Sequence, residues 1–398
     1  MPPSPATAGP AGGSRPALRA LPRPPLRVVD VAVFYGERSG GIRTYLDAKA
    51  AYAARSGAFE HHLVVPGRRE RHLPDRHELR SLPAAGAKGY RIPLGTAALK
   101  GTLRRLAPDI VLLHDPFWAG PGVAETARRA GAVVVAVHHS SVTLASEGLP
   151  GQASWWRPLL RPRFRATYGA ADEVMSVVDT RPDSGRAPSL ALRLGVDSAF
   201  RPRPDVRRGD HVLCVGRISR EKRVSELLEA AALSEEPWPL VLAGSGPAES
   251  AVRRQVKRLG LTERVSVRPH VTDRDGLARA YSAARCAVMP GPFETFGLIA
   301  LEAAATGTPV AACVTAPATR AAAGLAHPFL PGDPAEMLRA IESARRAGDD
   351  PRAGAELAER HSWERALSQE LAAVEDLVRG DRAPAGRPAV TSRELGRA

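Results

Sequence analysis

Short, mostly apolar runs alternate along the chain with longer segments whose apolar residues recur at helical spacing. The runs fall at 26–34, 62–66, 109–114, 132–138 and 173–178, then again at 211–215, 240–243, 265–267, 286–289 and 309–312. Mostly apolar runs of this length predict strands buried on both faces. Helical spacing between them predicts helices at 42–55, 96–106, 121–130, 222–233, 247–259, 275–284 and 297–306. Strand–helix alternation implies parallel sheets covered by helices on both sides. The alternation lapses at 198–210, where Pro202, Pro204, Asp205, Gly209 and Asp210 cluster as a linker. The expected architecture is α/β, two Rossmann-like doubly wound domains at 26–203 and 204–365 facing across a cleft. A disordered Pro/Ala-rich leader at 1–25 and a C-terminal helix with a disordered tail at 366–398 flank them. The basic segment 67–92 shows no clear period and reads as irregular, and 140–170 reads as loose.

Composition narrows the function classes. Hydrophobic residues at 44% and charged residues at 25% suit a globular protein of 398 residues. No stretch reaches the roughly 20 apolar residues that span a bilayer, and the leader lacks the apolar region of a signal peptide. A cytoplasmic location is expected. Cys214, Cys286 and Cys313 lie singly in apolar runs, which reads as burial rather than as disulfides or zinc ligation.

The most specific string is Gly291-Pro292-Phe293-Glu294-Thr295-Phe296-Gly297-Leu298-Ile299-Ala300-Leu301-Glu302. It places one carboxylate before a helix and another about two turns inside it. A helix beginning near Phe296 and Gly297 offers unpaired N–H groups and a positive dipole end to an anion such as a diphosphate. Arg217 and Lys222 precede the helix expected at 222–233. Cations there oppose the dipole, so a bound anion is expected beside them. Asp273-Arg274-Asp275 spells a carboxylate pair known from metal–nucleotide sites, but at a helix start it reads as capping.

These residues resemble retaining GT-B glycosyltransferases of the fourth glycosyltransferase family, the glycosyl transferases group 1. The Glu294-to-Glu302 string followed by Gly307-Thr308-Pro309-Val310 carries the resemblance. Gly216-Arg217-Ile218-Ser219-Arg220-Glu221-Lys222, Gly244-Ser245-Gly246-Pro247, Gly195-Val196-Asp197 and the pair Gly40-Gly41 add to it. It covers about residues 26–375. The resemblance implies hexose transfer from a UDP- or GDP-sugar co-substrate with retention of configuration, without metal or other cofactor. It assigns Arg217, Lys222, Gly40, Gly41, Phe296, Gly297 and Leu298 to the donor diphosphate and Glu302 to the ribose. His139, Arg217, Lys222 and Glu294 become the catalytic set; His138 reads as a packed neighbour of His139. Pro269 stands where the family usually has Gly, in a loop that commonly touches the nucleobase.

Charge points towards the acceptor. The net charge is +14, and residues 1–205 carry 29 Lys and Arg against 17 Asp and Glu. In the implied acceptor domain, Trp155 and Trp156 lie among Arg157, Arg161, Arg163 and Arg165. The expectation is an unidentified acceptor, such as a lipid or cell-envelope glycoconjugate, with peripheral contact at an anionic membrane on its inner face. No nucleic-acid partner is expected, because neither an aromatic–basic platform nor a helix-turn-helix is legible.

Overall fold

The computed structural model describes residues 24–36, 40–83, 90–114, 118, 120–139, 142, 146, 153–177 and 188–380. The leader up to residue 23 and the tail beyond residue 380 therefore lie outside the described residues, as do residues 178–187.

Two sheets form. The first contains β1 (Leu26–Val31), β2 (Phe59–Gly67), β3 (Arg71–His72), β4 (Arg76–Pro83), β5 (Arg91–Pro93), β6 (Ile110–Leu113), β7 (Val133–His138), β8 (Glu173–Ser176) and β9 (Leu190–Ala191). Its order is β3-β4-β2-β1-β6-β7-β8-β9, with β5 on β4. The second contains β10 (Val212–Val215), β11 (Leu240–Ala243), β12 (Val265–Arg268), β13 (Cys286–Met289), β14 (Val310–Cys313) and β15 (Ala326–Phe329). Its order is β12-β11-β10-β13-β14-β15, parallel throughout. In each, the order reverses beside the first strand, and such switch points open a crevice at the strands' carboxyl ends.

The apolar runs become central strands because both faces are covered; β6, β10 and β13 are buried at every position. All three cysteines are free and buried, and burial pushes the Cys214 and Cys286 thiols up to about 12.

Two segments differ from expectation. The irregular reading of 67–92 gives way to an edge built from β3, β4 and β5. The inward positions of β4 are His77, Leu79 and Ser81, two of them polar, so its alternation does not show as alternating hydrophobicity. Within 140–170, Ala153–Ala170 is one helix despite Pro158 and Pro162. Leu160, Phe164, Thr167 and Tyr168 are buried along one face, and that burial offsets the cost of interior prolines.

The C-terminal helix Trp363–Arg379 returns to the first lobe and packs on the helix Gly41–Ser56. The joint is polar inside. Lys49 Nζ pairs with Glu370 Oε1 at 2.9 Å, and the Tyr45 hydroxyl donates to the same oxygen at 2.6 Å. A single apolar cluster runs through both lobes, including Tyr45, Phe200, Val215 and Phe296.

Candidate functional site

The carboxyl end of β10 runs into Gly216, the exposed Arg217 and a 3-10 turn, Arg220–Lys222, before the helix Val224–Leu233. The turn after β11 lies directly on this segment. A Cβ at Gly244 would come within 1.8 Å of Gly216 O, and one at Gly246 within 2.1 Å of Ile218 O. Both glycines are thus required for the two strand–helix turns to stack, with Ile218 N donating to Ser245 O at 3.1 Å.

From the neighbouring strand β13 comes Glu294, whose Oε1 accepts from Lys222 Nζ at 2.6 Å. The ammonium side chain is 25% exposed and the carboxylate 9%. Gly216, Arg217, Lys222, Gly291, Glu294 and Ile299 line one narrow cavity of about 20 Å³. Lys222 and Glu294 neutralise each other across it, so an anion reaching Lys222 exchanges with a carboxylate rather than entering an open cationic hole.

Gly297, in the left-handed region at φ +70°, turns the chain into the helix Leu298–Ala305. Glu302 therefore lies one turn inside the helix, not two. Its Oε2 accepts from the Tyr281 hydroxyl at 3.4 Å. Burial pushes its carboxyl up to about 7, against the opposing charge of Arg274. Asp273 caps the helix Arg274–Ala283 by accepting from Gly276 N, the capping role read from its position.

The first lobe meets this helix start at Phe296. That ring is 3% exposed and lies edge-on to His139, with centroids 5.3 Å apart. A Cβ at Gly41 would fall 2.5 Å from Phe296 Cδ2, so the two lobes touch only because Gly41 has none. Gly40 differs: a Cβ there meets nothing within 4 Å, and its φ is −84°. Gly41, His139, Phe296 and Gly297 are thereby brought together, Lys222, Arg217 and Glu294 share the adjoining cavity, and Glu302 sits apart against Tyr281. His138 packs away, its Nδ1 2.9 Å from the Tyr168 hydroxyl.

Sequence reasoning missed what holds His139. Its Nε2 is 2.5 Å from His114 Nδ1, and the rings stack at 4.8 Å. His114 Nε2 reaches Asp30 Oδ1 at 2.6 Å. Asp30, wholly buried on β1, also meets His61 Nε2 at 2.7 Å and Lys49 Nζ at 3.1 Å. Burial alone would raise the Asp30 carboxyl, but Lys49, His114 and His61 outweigh it and hold it well below the ordinary range. Burial, with the charges of His114 and His138, holds His139 well below its usual value, so its ring is neutral. The contacts form one chain: the Asp30 carboxylate accepts from His114 Nε2, and His114 Nδ1 faces His139 Nε2. The remaining ring nitrogen, His139 Nδ1, is buried with no hydrogen-bond partner among the described residues. The one signal that could have pointed here is Asp30, a carboxylate in the middle of an apolar strand.

Known proteins match both lobes. The family described as Glycosyl transferases group 1 matches residues 209–346, and Glycosyltransferase Family 4 matches residues 39–180. A GDP-mannose-dependent alpha-(1-6)-phosphatidylinositol dimannoside mannosyltransferase of Mycobacterium tuberculosis is 32% identical over 373 residues, 88% of this chain and 96% of that one. A D-inositol 3-phosphate glycosyltransferase of Catenulispora acidiphila is 31% identical over 323 residues, 71% and 76% of the two chains. Among solved structures, a sucrose-phosphate synthase of Thermosynechococcus elongatus superposes with a TM-score of 0.69 at 21% identity, over 90% of this chain and all of that one. With two doubly wound lobes in the GT-B arrangement and relatives of this extent, the chain belongs to the family 4 glycosyltransferases.

Proposed function

We propose that the protein transfers a hexose from a nucleotide-diphosphate sugar to an acceptor hydroxyl with retention of configuration and without a metal ion. The observation that carries this reading is the convergence of Arg217, Lys222 and the start of the helix Leu298–Ala305 on the crevice at the ends of β10 and β13. As the glycosyl bond breaks, negative charge grows on the β-phosphate. Fixed cations and helix N–H groups stabilise that charge more than they stabilise the bound donor. The departing phosphate oxygen takes the proton of the acceptor hydroxyl attacking from the same face. Glu294 accepts hydrogen bonds from sugar hydroxyls, His139 meets a sugar hydroxyl through its ring, and Glu302 accepts from the ribose. The contact of Phe296 with Gly41 and His139 keeps water from the reacting carbon.

GDP-mannose is the first donor to test, since a relative matched over 96% of its length is named for it. The acceptor belongs to the first lobe. On the helix Ala153–Ala170, Trp155 is 71% exposed and Leu159 58% exposed, beside the exposed Arg161, Arg163 and Arg165. Apolar tips within a basic field suit peripheral contact with an anionic membrane, and hence a lipid or cell-envelope acceptor.

A panel of nucleotide sugars scored by thermal shift and by slow donor hydrolysis tests the reading. GDP-mannose is expected to raise the melting temperature and to be hydrolysed in the presence of EDTA, and the product anomer, read by NMR, is expected to match the donor. An inverted product, or dependence on added metal, would overturn the mechanism. Failure of every nucleotide sugar to bind would overturn the function.

A further inference from the structure

A second cationic feature, in the first lobe, lies beside the donor crevice. Arg43, Arg68, Arg69, Arg71, Arg76 and Arg91 line a single hollow of about 690 Å³, against one lining carboxylate, Glu78. Its floor is made by the carboxyl ends of parallel strands: Tyr35 and Gly36 follow β1, and Pro66 and Gly67 end β2. This is the edge of a parallel sheet at which ligands bind. Arg43 stands on the first turn of the helix Gly41–Ser56, two residues from the glycine that touches Phe296. The hollow therefore opens beside the crevice in which the donor reading puts the reacting sugar.

Its chemistry is selective. Arg43 and Arg76 both lie against the Tyr35 ring, at 5.4 Å and 5.2 Å from its centroid. The Tyr35 hydroxyl donates to Asp47, which also accepts from Arg43 Nε at 3.3 Å. Arg76 Nη2 meets Glu78 at 3.2 Å, and Arg91 donates to Ser81 O. These contacts hold three guanidiniums in place. The Nε groups of Arg76 and Arg91 are buried without a hydrogen-bond partner among the described residues. Six guanidiniums around one concavity repel one another unless an anion joins them. A planar fork of donors matches the tetrahedral oxygens of phosphate better than it matches a neutral sugar. The volume suits a drug-sized polar ligand rather than a lone ion.

We infer that this hollow holds a phosphate group of the acceptor, setting the acceptor hydroxyl towards the donor crevice. The inference rests on the first lobe being the acceptor lobe. The phosphate can belong to a soluble sugar phosphate or to a phospholipid headgroup, and the two sources part experimentally.

Titrations are run on the full chain with saturating GDP or UDP present, whichever binds, so that the donor crevice is filled. Failure of both nucleotides to bind would sink the donor reading, separately from this one. Glucose 6-phosphate is titrated by calorimetry, and vesicles of phosphatidylcholine with and without phosphatidic acid are sedimented. The variants are Arg68→Gln/Arg69→Gln on the β2–β3 link and, independently, Arg71→Gln at the start of β3; all three arginines are exposed, and a circular dichroism melt checks that the fold is kept. Arg254→Gln/Arg258→Gln, exposed on the second-lobe helix Glu249–Arg258, is the charge-matched control. Loss of about tenfold in affinity or more for glucose 6-phosphate, in the hollow variants but not the control, supports a soluble source. The same loss confined to phosphatidic-acid vesicles supports a lipid source. Equal binding by hollow variants and wild type, or no binding of either probe to the wild type, would overturn the inference.

Discussion

The two lobes carry their polar chemistry in opposite ways. In the second lobe, Arg217, Lys222 and Glu294 stand beyond strand ends, each exposed or answered by one partner. In the first lobe, His139 is the last member of a buried chain that runs through His114 and Asp30 to Lys49 and Glu370, spanning β7, β6, β1 and two helices. Charge at the rim of a crevice costs little to keep and is free to meet a ligand. Charge inside a sheet must be answered on every side, so it fixes geometry at the expense of tolerance to change.

The sharpest break of that contrast is Asp30→Asn. It leaves Lys49 and two imidazoles around a neutral amide and is expected to cost about 3–5 kcal/mol in urea unfolding. A loss under 1 kcal/mol would mean that the network is not a structural unit. Lys222→Ala works the other way. Turnover is expected to fall on the order of 10²–10³-fold while the melting curve stays near wild type; retained activity would remove Lys222 from the mechanism. Between them lies Gly41→Ala, where the new methyl meets Phe296 and costs about 1–3 kcal/mol. Phe296→Leu is expected to relieve part of that cost, and a double-mutant cycle without coupling would deny the contact.

Acidity separates the lobes by sign. Burial, with the charges of His62, His72 and Arg105, holds His77 at about 4. The unfolded chain thus binds that proton first, and stability drops as pH falls from 6.5 towards 4. Glu302, raised to about 7, is protonated more readily in the fold. Its contribution is complete below 4.5 and fades as pH climbs through 7. Urea melts across this range should lose the first slope in His77→Gln and the second in Glu302→Gln; unchanged profiles would refute the assignments. The smallest effect belongs to Gly40→Ala, which should move stability by less than about 0.5 kcal/mol, since nothing lies near the added carbon. Any loss of donor binding in that variant then reports the ligand rather than the fold.

Much of the second lobe was legible beforehand because its signals are local. A strand, a turn and a helix start fit within a dozen residues, so Glu294, Gly297 and Glu302 announce themselves in order along the chain. The edge at 67–92 was not legible, because β4 buries His77 and Ser81 beside Leu79 and so hides its alternation. Nor was the helix over Ala153–Ala170, whose two prolines argue against it until Phe164 and Tyr168 are seen to be buried.

By itself, then, the sequence determined the parallel central strands of the two sheets and the strand–turn–helix that carries Glu294 and Glu302, because apolar runs and short-range turn chemistry are written consecutively. Only the tertiary structure decided that Lys222 and Glu294 answer each other, that Gly41 must lack a side chain for Phe296, and that six arginines share one hollow. It alone joined Asp30 to Glu370, 340 positions away. The reason is that pairing between distant polar groups depends on how strands are ordered and helices return, and a one-dimensional pattern carries no record of that.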